Sequence, residues 1–345
     1  MTIRWALAGP GRHAERSVIP GFKRAKSAAL AAVVSRDAAR GNAVAERHRI
    51  PKTYTRFEEM LRDAEIDAVY DATPDGLHAG HIAAAASSGK HILVEKPLAI
   101  SVAAAAEALA AARRAGVTLG VVFNQRHEAV HVEARRLVAA GAIGEVVLAK
   151  VQIPLRVQPA SQPAPRGWRA DPAFRPGGIG WSIGDHAFDT LAYLAGLEID
   201  EVAAFTDATR HDPPDERTAG LLLRLANGAI GYAAASSKTP FGQAPFELHG
   251  TKGSILVENS YTYLAGAGAD PRPRLTLATA EGTVVRHFAG SDCFRLEIER
   301  FTRAIEGKAA PMTSGDEGLR AVAIGEAALA AARTGQVAKV ADFLP

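Results

Sequence analysis

The sequence predicts two domains: an α/β domain on a parallel sheet, then an α+β domain with a large, mostly antiparallel open sheet. Three observations predict this. The length, 345 residues, suits about two domains of ordinary size. Over the first third, short apolar runs alternate with helical stretches, which is the pattern of βαβ units. After about residue 125 the rhythm changes to longer β-like stretches divided by turn signals such as Asn227-Gly228 and Gly250-Thr251-Lys252-Gly253. The boundaries drawn are 1–125 and 126–345.

The elements follow in order. Ile3 to Ala8 is short, mostly apolar and ends at a glycine, so it reads as a buried strand. A helix is expected from about Arg12 to Ala25. Further strands are expected at 29–34, 67–72, 91–94 and 117–123, with helices at 38–48, 78–88 and 102–115. In the second part, a helix at 128–140 stops at Gly141. Strands are then expected at 145–153, 199–206, 219–225, 228–235, 245–249 and 274–279. Pro154 to Gly178, rich in Pro, Gly and Arg, reads as a long loop over a cleft. Helices at 294–306 and 315–333 close the chain.

Composition narrows the function classes. The net charge is +3 and there is no dense Lys/Arg run, which argues against nucleic acid as a partner. Hydrophobic content of 48% is that of a globular chain. The single cysteine, Cys293, excludes an internal disulfide framework and a Cys-rich zinc site. No apolar run is long enough to span a membrane. Met1 to Arg4 leads straight into the first strand, leaving no room for a signal peptide, so a cytoplasmic protein is expected.

Gly9-Pro10-Gly11-Arg12-His13-Ala14 follows the first strand and opens the first helix, matching G-x-G-x-x-G/A. The first glycine permits a tight turn, the second lets a pyrophosphate approach the backbone, and the small last residue lets helix and strand pack closely. The helix N-terminus offers N–H groups to the phosphates. The first domain is therefore expected to be a Rossmann dinucleotide-binding domain. The end of the second strand selects the cofactor. Ser35-Arg36-Asp37, with Arg40 one turn later, sets a hydroxyl and guanidinium groups where an NAD-binding acid would stand, which favours the 2′-phosphate of NADP. Two other readings stand beside it: Asp37 as the helix N-cap with the arginines solvated, or Asp37 as the ribose ligand, which restores NAD.

Two stretches carry candidate chemistry. Glu95-Lys96-Pro97 ends the fourth expected strand at the carboxyl edge of the sheet, where such folds bind ligands; a lysine there can relay the proton of a substrate hydroxyl. Gly177 to His186 crowds glycines, Ser182, Asp185 and His186 together after the long loop. If 182–195 is helical, Ser182, His186 and Asp189 share one face, and His186 suits proton exchange near neutral pH. His127-Glu128-Ala129-Val130-His131 spells the zinc-protease pattern H-E-x-x-H, but Leu137 stands where a third histidine would continue it. These histidines are read as lining a helix start beside a cleft, with no metal expected.

Taken in order, several segments resemble the glucose–fructose oxidoreductase/inositol dehydrogenase (Gfo/Idh/MocA) family: the Gly9–Ala14 turn, Asp67 to Tyr70, Ala72-Thr73-Pro74-Asp75-Gly76-Leu77-His78, Gly89 to Leu98, Gly141 to Val146, Gly167-Trp168-Arg169, Gly177-Gly178, His186 and Gly250 to Ser254. Within the family, Ser35-Arg36 and Gly167-Trp168-Arg169 look most like NADPH-dependent sugar reductases. The resemblance implies a Rossmann domain and an open-sheet domain whose outer face assembles a homodimer or homotetramer. It implies hydride transfer between the nicotinamide and a sugar-like substrate, with Lys96 and His186 handling the proton. Thr73, Pro74 and His78 would flank the cofactor, beside Gly9, Pro10, Gly11, Arg12, His13, Glu95 and Lys96. Arg126, Trp168 and Arg169 would lie near cofactor or substrate, and Ser182 and Asp185 near substrate. The sequence departs from the family pattern at Ser182, where an aspartate is common, at Pro176 in the glycine triplet, and at Asp71, where an apolar residue is usual. Two activities are therefore weighed: an NADP(H)-linked oxidoreductase for a sugar, cyclitol or related carbonyl, or a dinucleotide-binding protein without net redox, either a sensor or a cofactor-retaining glycosidase.

Overall fold

The computed structural model describes residues 2–154, 168, 171, 173–178, 181, 184–208, 216–239, 244–260 and 272–345. The chain divides into two units. One contains Met1–Asn124, Asp292–Val322 and Pro345; the other contains Gln125–Ser291 and Ala323–Leu344. The sequence reading gave everything after 125 to the second domain, whereas the structure returns Asp292–Val322 to the first.

The first unit is a doubly wound α/β fold. Its strands are β1 (Ile3–Ala8), β2 (Ala28–Val34), β3 (Lys52–Tyr54), β4 (Ala68–Asp71), β5 (His91–Glu95) and β6 (Leu119–Val122). They form one sheet in the order β3-β2-β1-β4-β5-β6, and every pairing is parallel. The order reverses between β1 and β4, and the carboxyl ends of those strands are where such a sheet binds ligands. The helices are α1 (Ile19–Arg24), α2 (Ala38–His48), α3 (Phe57–Leu61), α4 (His78–Ser87) and α5 (Val102–Ala115). The helix expected from Arg12 begins as a π-helical turn over Ala14–Val18 and runs on into α1.

The core explains why the late segment returns. Trp5 of β1 is fully buried, with ring centroids 5.4 Å from Phe22 and 5.6 Å from Phe301. Phe301 and Ile298 lie on α8 (Cys293–Ile305), one turn apart on its buried face. Burying a ring of this size contributes about 1.5–3 kcal/mol.

The second unit holds α6 (Ala129–Ala139), α7 (Gly184–Ala195) and a nine-stranded sheet. Its strands are β7 (Val146–Pro154), β8 (Ile199–Thr206), β9 (Thr218–Leu225), β10 (Ile230–Ser236), β11 (Phe246–Gly250), β12 (Gly253–Glu258), β13 (Arg274–Thr279), β14 (Gly282–His287) and β15 (Ala338–Lys339), in the order β14-β13-β12-β11-β7-β10-β9-β8-β15. All neighbours are antiparallel except β7 and β10. Alternation decides the faces. On β9, Ala219, Leu221, Leu223 and Leu225 are buried while Leu222 and Arg224 face out. Helix α7 packs on the inner face against β7 and β10. A last helix, α9 (Gly315–Thr334), runs through the division between the units. Most of the expected 154–178 loop lies outside the described residues.

Candidate active site

The site of the first unit is built at the carboxyl ends of β1, β2, β4 and β5. Gly9 closes β1 with φ +77°, and a Cβ there would lie 2.6 Å from the Ala72 carbonyl oxygen, so only glycine fits. Above Gly11, by contrast, a Cβ would meet nothing closer than 3.9 Å. This is the open backbone that a pyrophosphate needs. Beside this turn an open groove of about 540 Å³ is lined by Pro10, Gly11, Arg12, Arg16, Arg40 and Arg47, with Glu15 and His48. Arg12 and Arg40 are exposed. Arg36 is exposed too but does not line the groove.

The β2 end is organised from within. Ser35 is buried and its hydroxyl donates to the Asp37 carbonyl (2.8 Å). Asp37 is the N-cap of α2, its carboxylate accepting from the Arg40 N–H (3.1 Å). The capping role foreseen for Asp37 thus engages one of its two carboxylate oxygens.

Glu95, expected beside the cofactor, ties two elements together. Its Oε1 accepts from the Tyr70 hydroxyl (2.8 Å) and meets His13 Nε2 (3.0 Å). His13 also packs edge-on to Phe294, at 5.4 Å between centroids. Burial raises the Glu95 carboxyl, but the His13 charge and hydrogen bond, the Tyr70 hydroxyl and the Lys96 charge outweigh it and hold Glu95 below the usual carboxylate range. Burial, with Glu95 and Glu297 nearby, pushes the Tyr70 phenol up. Lys96 is half-buried, and the Lys96–Pro97 peptide bond is cis.

Thr73 and Pro74 follow β4 and are half-buried. His78, expected to flank the cofactor, is fully buried instead. Its Nδ1 lies 2.7 Å from the Pro97 carbonyl oxygen and its Nε2 3.1 Å from that of Thr73. With its ring nitrogens at two backbone carbonyls, His78 joins two loops.

The second unit carries the other candidates. Arg126 ends in a buried pair with Asp189, at 2.6 Å and 3.1 Å, and lies 5.3 Å from the Tyr193 ring centroid. Arg126 therefore meets α7 rather than standing as an open guanidinium. His186 is half-buried on α7, and the Asp185 carboxylate accepts from the His186 N–H (2.7 Å). Trp168 is half-buried. Ser182 and Arg169 lie outside the described residues.

The H-E-x-x-H motif does not form a helical pair, because His127 ends a 3₁₀ turn (Asn124–His127) and α6 begins at Ala129. Among the described residues, no group of three or more His, Cys, Asp or Glu is placed to hold a metal ion. Also among them, no helix is long and apolar enough to cross a membrane.

Sequence reasoning missed several contributors. His81 pairs with Asp71, the residue it had marked as unusual, and the signal was an acid ending a strand ten residues before a helix histidine. Arg16 and Arg47 line the groove from positions with no motif. Glu216 accepts the Gly178 N–H (2.6 Å), anchoring the glycine pair before α7.

With this geometry in view, comparison with known proteins is direct. Residues 3–123 match the GFO_IDH_MocA family, described as an oxidoreductase family with an NAD-binding Rossmann fold, and residues 131–256 match the GFO/IDH/MocA C-terminal domain. The chain belongs to this family. As a Gfo/Idh/MocA protein it is an NAD(P)-dependent oxidoreductase. It is 33% identical over 340 residues to 1,5-anhydro-D-fructose reductase of Ensifer adhaerens, covering 98% of each chain. It is 32% identical over 333 residues to D-xylose 1-dehydrogenase (NADP(+)) 2 of Haloferax volcanii, covering 96% of this chain and 98% of that one. Its structure is similar to that of aldose-aldose oxidoreductase from Caulobacter crescentus complexed with glycerol, with a TM-score of 0.85, 26% identity, and coverage of 98% and 100%. The fold expected of this Gfo/Idh/MocA chain, a parallel six-stranded sheet and then a mixed, mostly antiparallel nine-stranded one, is the fold found.

Proposed function

We propose that this chain transfers a hydride between NADP(H) and a hydroxyl or carbonyl carbon of a sugar or cyclitol, with Lys96 and His186 handling the proton. The observation that carries the cofactor choice is the groove beside Gly11, lined by the exposed Arg12 and Arg40, neither of which forms a side-chain ion pair among the described residues, while Asp37 caps α2. Guanidinium groups bind phosphate through paired, charge-assisted hydrogen bonds. Two relatives support the substrate class by name, one a reductase of 1,5-anhydro-D-fructose and the other an NADP(+)-linked dehydrogenase of D-xylose.

The residues fit a dinucleotide. Gly9 and Gly11 would admit the pyrophosphate, Arg12, Arg36 and Arg40 the adenosine phosphate, and Thr73 and Pro74 would flank the nicotinamide end. Bound there, the nicotinamide supplies or takes the hydride. Lys96 Nζ holds the reacting hydroxyl and carries its proton, and the His186 imidazole exchanges that proton. By the family resemblance, roles toward cofactor or substrate are assigned to Trp168 and Arg169, and toward substrate to Ser182 and Asp185.

The outer face of the second sheet supports a homo-oligomer. Phe205 is 82% exposed, and Leu222 and Tyr232, opposite each other in register, are 54% and 43% exposed. Apolar groups clustered this way mark an interaction surface.

The test is a parallel fluorescence titration with NADPH and NADH, followed by a screen of sugars and cyclitols at 340 nm. Tighter NADPH binding and turnover, lost in Lys96→Ala with binding kept, are expected. Tighter NADH binding overturns the NADP assignment, and unchanged turnover in Lys96→Ala overturns the role of the lysine.

A further inference from the structure

Asp71 ends β4 and is fully buried. A carboxylate in that position persists only with partners. Its Oδ1 accepts from the Thr73 N–H (3.0 Å), and its Oδ2 lies 2.9 Å from His81 Nδ1. The His81 ring stacks on Phe57, with centroids 3.9 Å apart and planes at 10°, which fixes its orientation. Thr73 Oγ1 lies 3.3 Å from the same nitrogen. Burial raises the Asp71 carboxyl, but His81, the His78 charge and Thr73 together bring it below its ordinary value, so it is held as the carboxylate.

His78 lies three residues before His81 at the start of α4, and it grips the other side of the same loop. Its two ring nitrogens lie at the carbonyl oxygens of Thr73 and Pro97. Thr73 is thus held at its N–H, its C=O and its hydroxyl by three side chains. One of those side chains also holds the residue that follows Lys96. An apolar residue at position 71 could accept nothing from the Thr73 N–H.

We propose that Asp71, His81 and His78 are positioning residues for hydride transfer: they set the Thr73–Pro74 loop and lock it to the Lys96–Pro97 turn. The proposal rests on the roles given above to Thr73 and Lys96. Displacement of a reacting group by about 1 Å costs on the order of a hundredfold in rate, so a loop tied at this many points bears on turnover more than on sugar affinity.

The experiment compares Asp71→Val, Asp71→Asn and His81→Leu with the wild-type protein. Circular dichroism and thermal melts of the unliganded proteins establish folding. Fluorescence gives the NADPH Kd, and kcat and KM are read with the sugar found in the screen. In Asp71→Val and His81→Leu, kcat is expected to fall at least about tenfold while KM for sugar moves less than about threefold, and NADPH Kd weakens about fivefold. Asp71→Asn keeps an oxygen for the Thr73 N–H and is expected to restore kcat and Kd to within about threefold.

His81 is partly exposed, at 19% of its side chain, so His81→Leu decides the matter if Asp71→Val does not fold. Folded variants with kcat and Kd within twofold of wild type overturn the proposal, as does an Asp71→Asn protein as impaired as Asp71→Val. If the wild-type protein binds NADPH but turns over no sugar, the Kd values decide alone. A wild-type protein that binds no dinucleotide refutes the parent reading instead.

Discussion

Acid is expected to lower the stability of this protein in part through a buried histidine, His131. The ring sits on α6 and is fully buried, with Nδ1 donating to the Gln125 carbonyl (2.8 Å) and its edge against Phe246, centroids 5.1 Å apart. Its Nε2 has no hydrogen-bond partner among the described residues. Burial lowers its pKa to about 4, against the smaller opposing pull of the Gln125 carbonyl, whereas the unfolded chain titrates near 6.5. The sign follows from counting protons. Below about pH 6.5 the unfolded state binds a proton that the folded state refuses until about pH 4. The contribution is therefore whole above the unfolded value and is lost as pH falls through that window. At about 1.4 kcal/mol per pH unit, the loss totals about 3 kcal/mol, a large share of a stability of about 5–15 kcal/mol. Urea unfolding at several pH values, for wild type and His131→Leu, measures it. The variant is expected to be about 1 kcal/mol weaker at neutral pH, from the lost Gln125 bond. It is also expected to lose about 3 kcal/mol less than wild type on going to about pH 4. Parallel curves for the two proteins would refute the reasoning.

Four other outcomes are expected. Asp189→Asn removes the carboxylate that pairs with the buried Arg126 guanidinium, so thermal melts are expected to show about 3–5 kcal/mol lost and a midpoint lower by roughly 10 °C; a shift under about 2 °C contradicts this. Gly9→Ala drives a Cβ to 2.6 Å from the Ala72 carbonyl, and the turn must move; NADPH binding by fluorescence is expected to weaken by at least about tenfold with about 1–3 kcal/mol of stability lost. Arg40→Ala is expected to weaken NADPH by about tenfold while leaving NADH within about threefold, and the difference shrinks as salt screens the exposed groove. Phe205→Asp places a charge on the outer sheet face and, if the proposed homo-oligomer forms there, is expected to dissociate it in sedimentation velocity.

Much of the fold was readable because its signals are local. The buried parallel strands are short apolar runs, and the β9 and β10 faces alternate strictly. Two of the elements that escaped lack those signals. Strand β3 is Lys52-Thr53-Tyr54, too short and polar to stand out, and β14 is exposed at all six residues, so it shows no alternation. The return of α8 to the first unit depends on Phe301 meeting Trp5 across nearly three hundred residues of sequence, which no window reveals. At the site, the glycine turn was visible from spacing alone, since each glycine answers a steric need. The fate of His78 was not visible, because a histidine that seats two backbone carbonyls and one that faces a ligand have the same letter and the same neighbours.

That difference reflects a constraint on the carboxyl edge of the first sheet. Below the edge the strands are held by apolar burial around Trp5, Phe22, Tyr70 and Phe301. At the edge itself the chain must stay open to a charged ligand, so apolar packing cannot hold the loops without closing the site. The loops are held by directed polar bonds instead: Glu95 to Tyr70 and His13, Asp71 to Thr73 and His81, and His78 to Thr73 and Pro97. Each tie joins a strand end or a helix start to a loop, and each acid is matched by donors. The groove arginines Arg12 and Arg40 are left outside these ties. Charge is thus divided by position, with acids and histidines securing the frame and exposed guanidinium groups facing the space where a phosphate would sit. A mutation within the frame should accordingly change rate and cofactor geometry together. One among the arginines should change only the choice between cofactors.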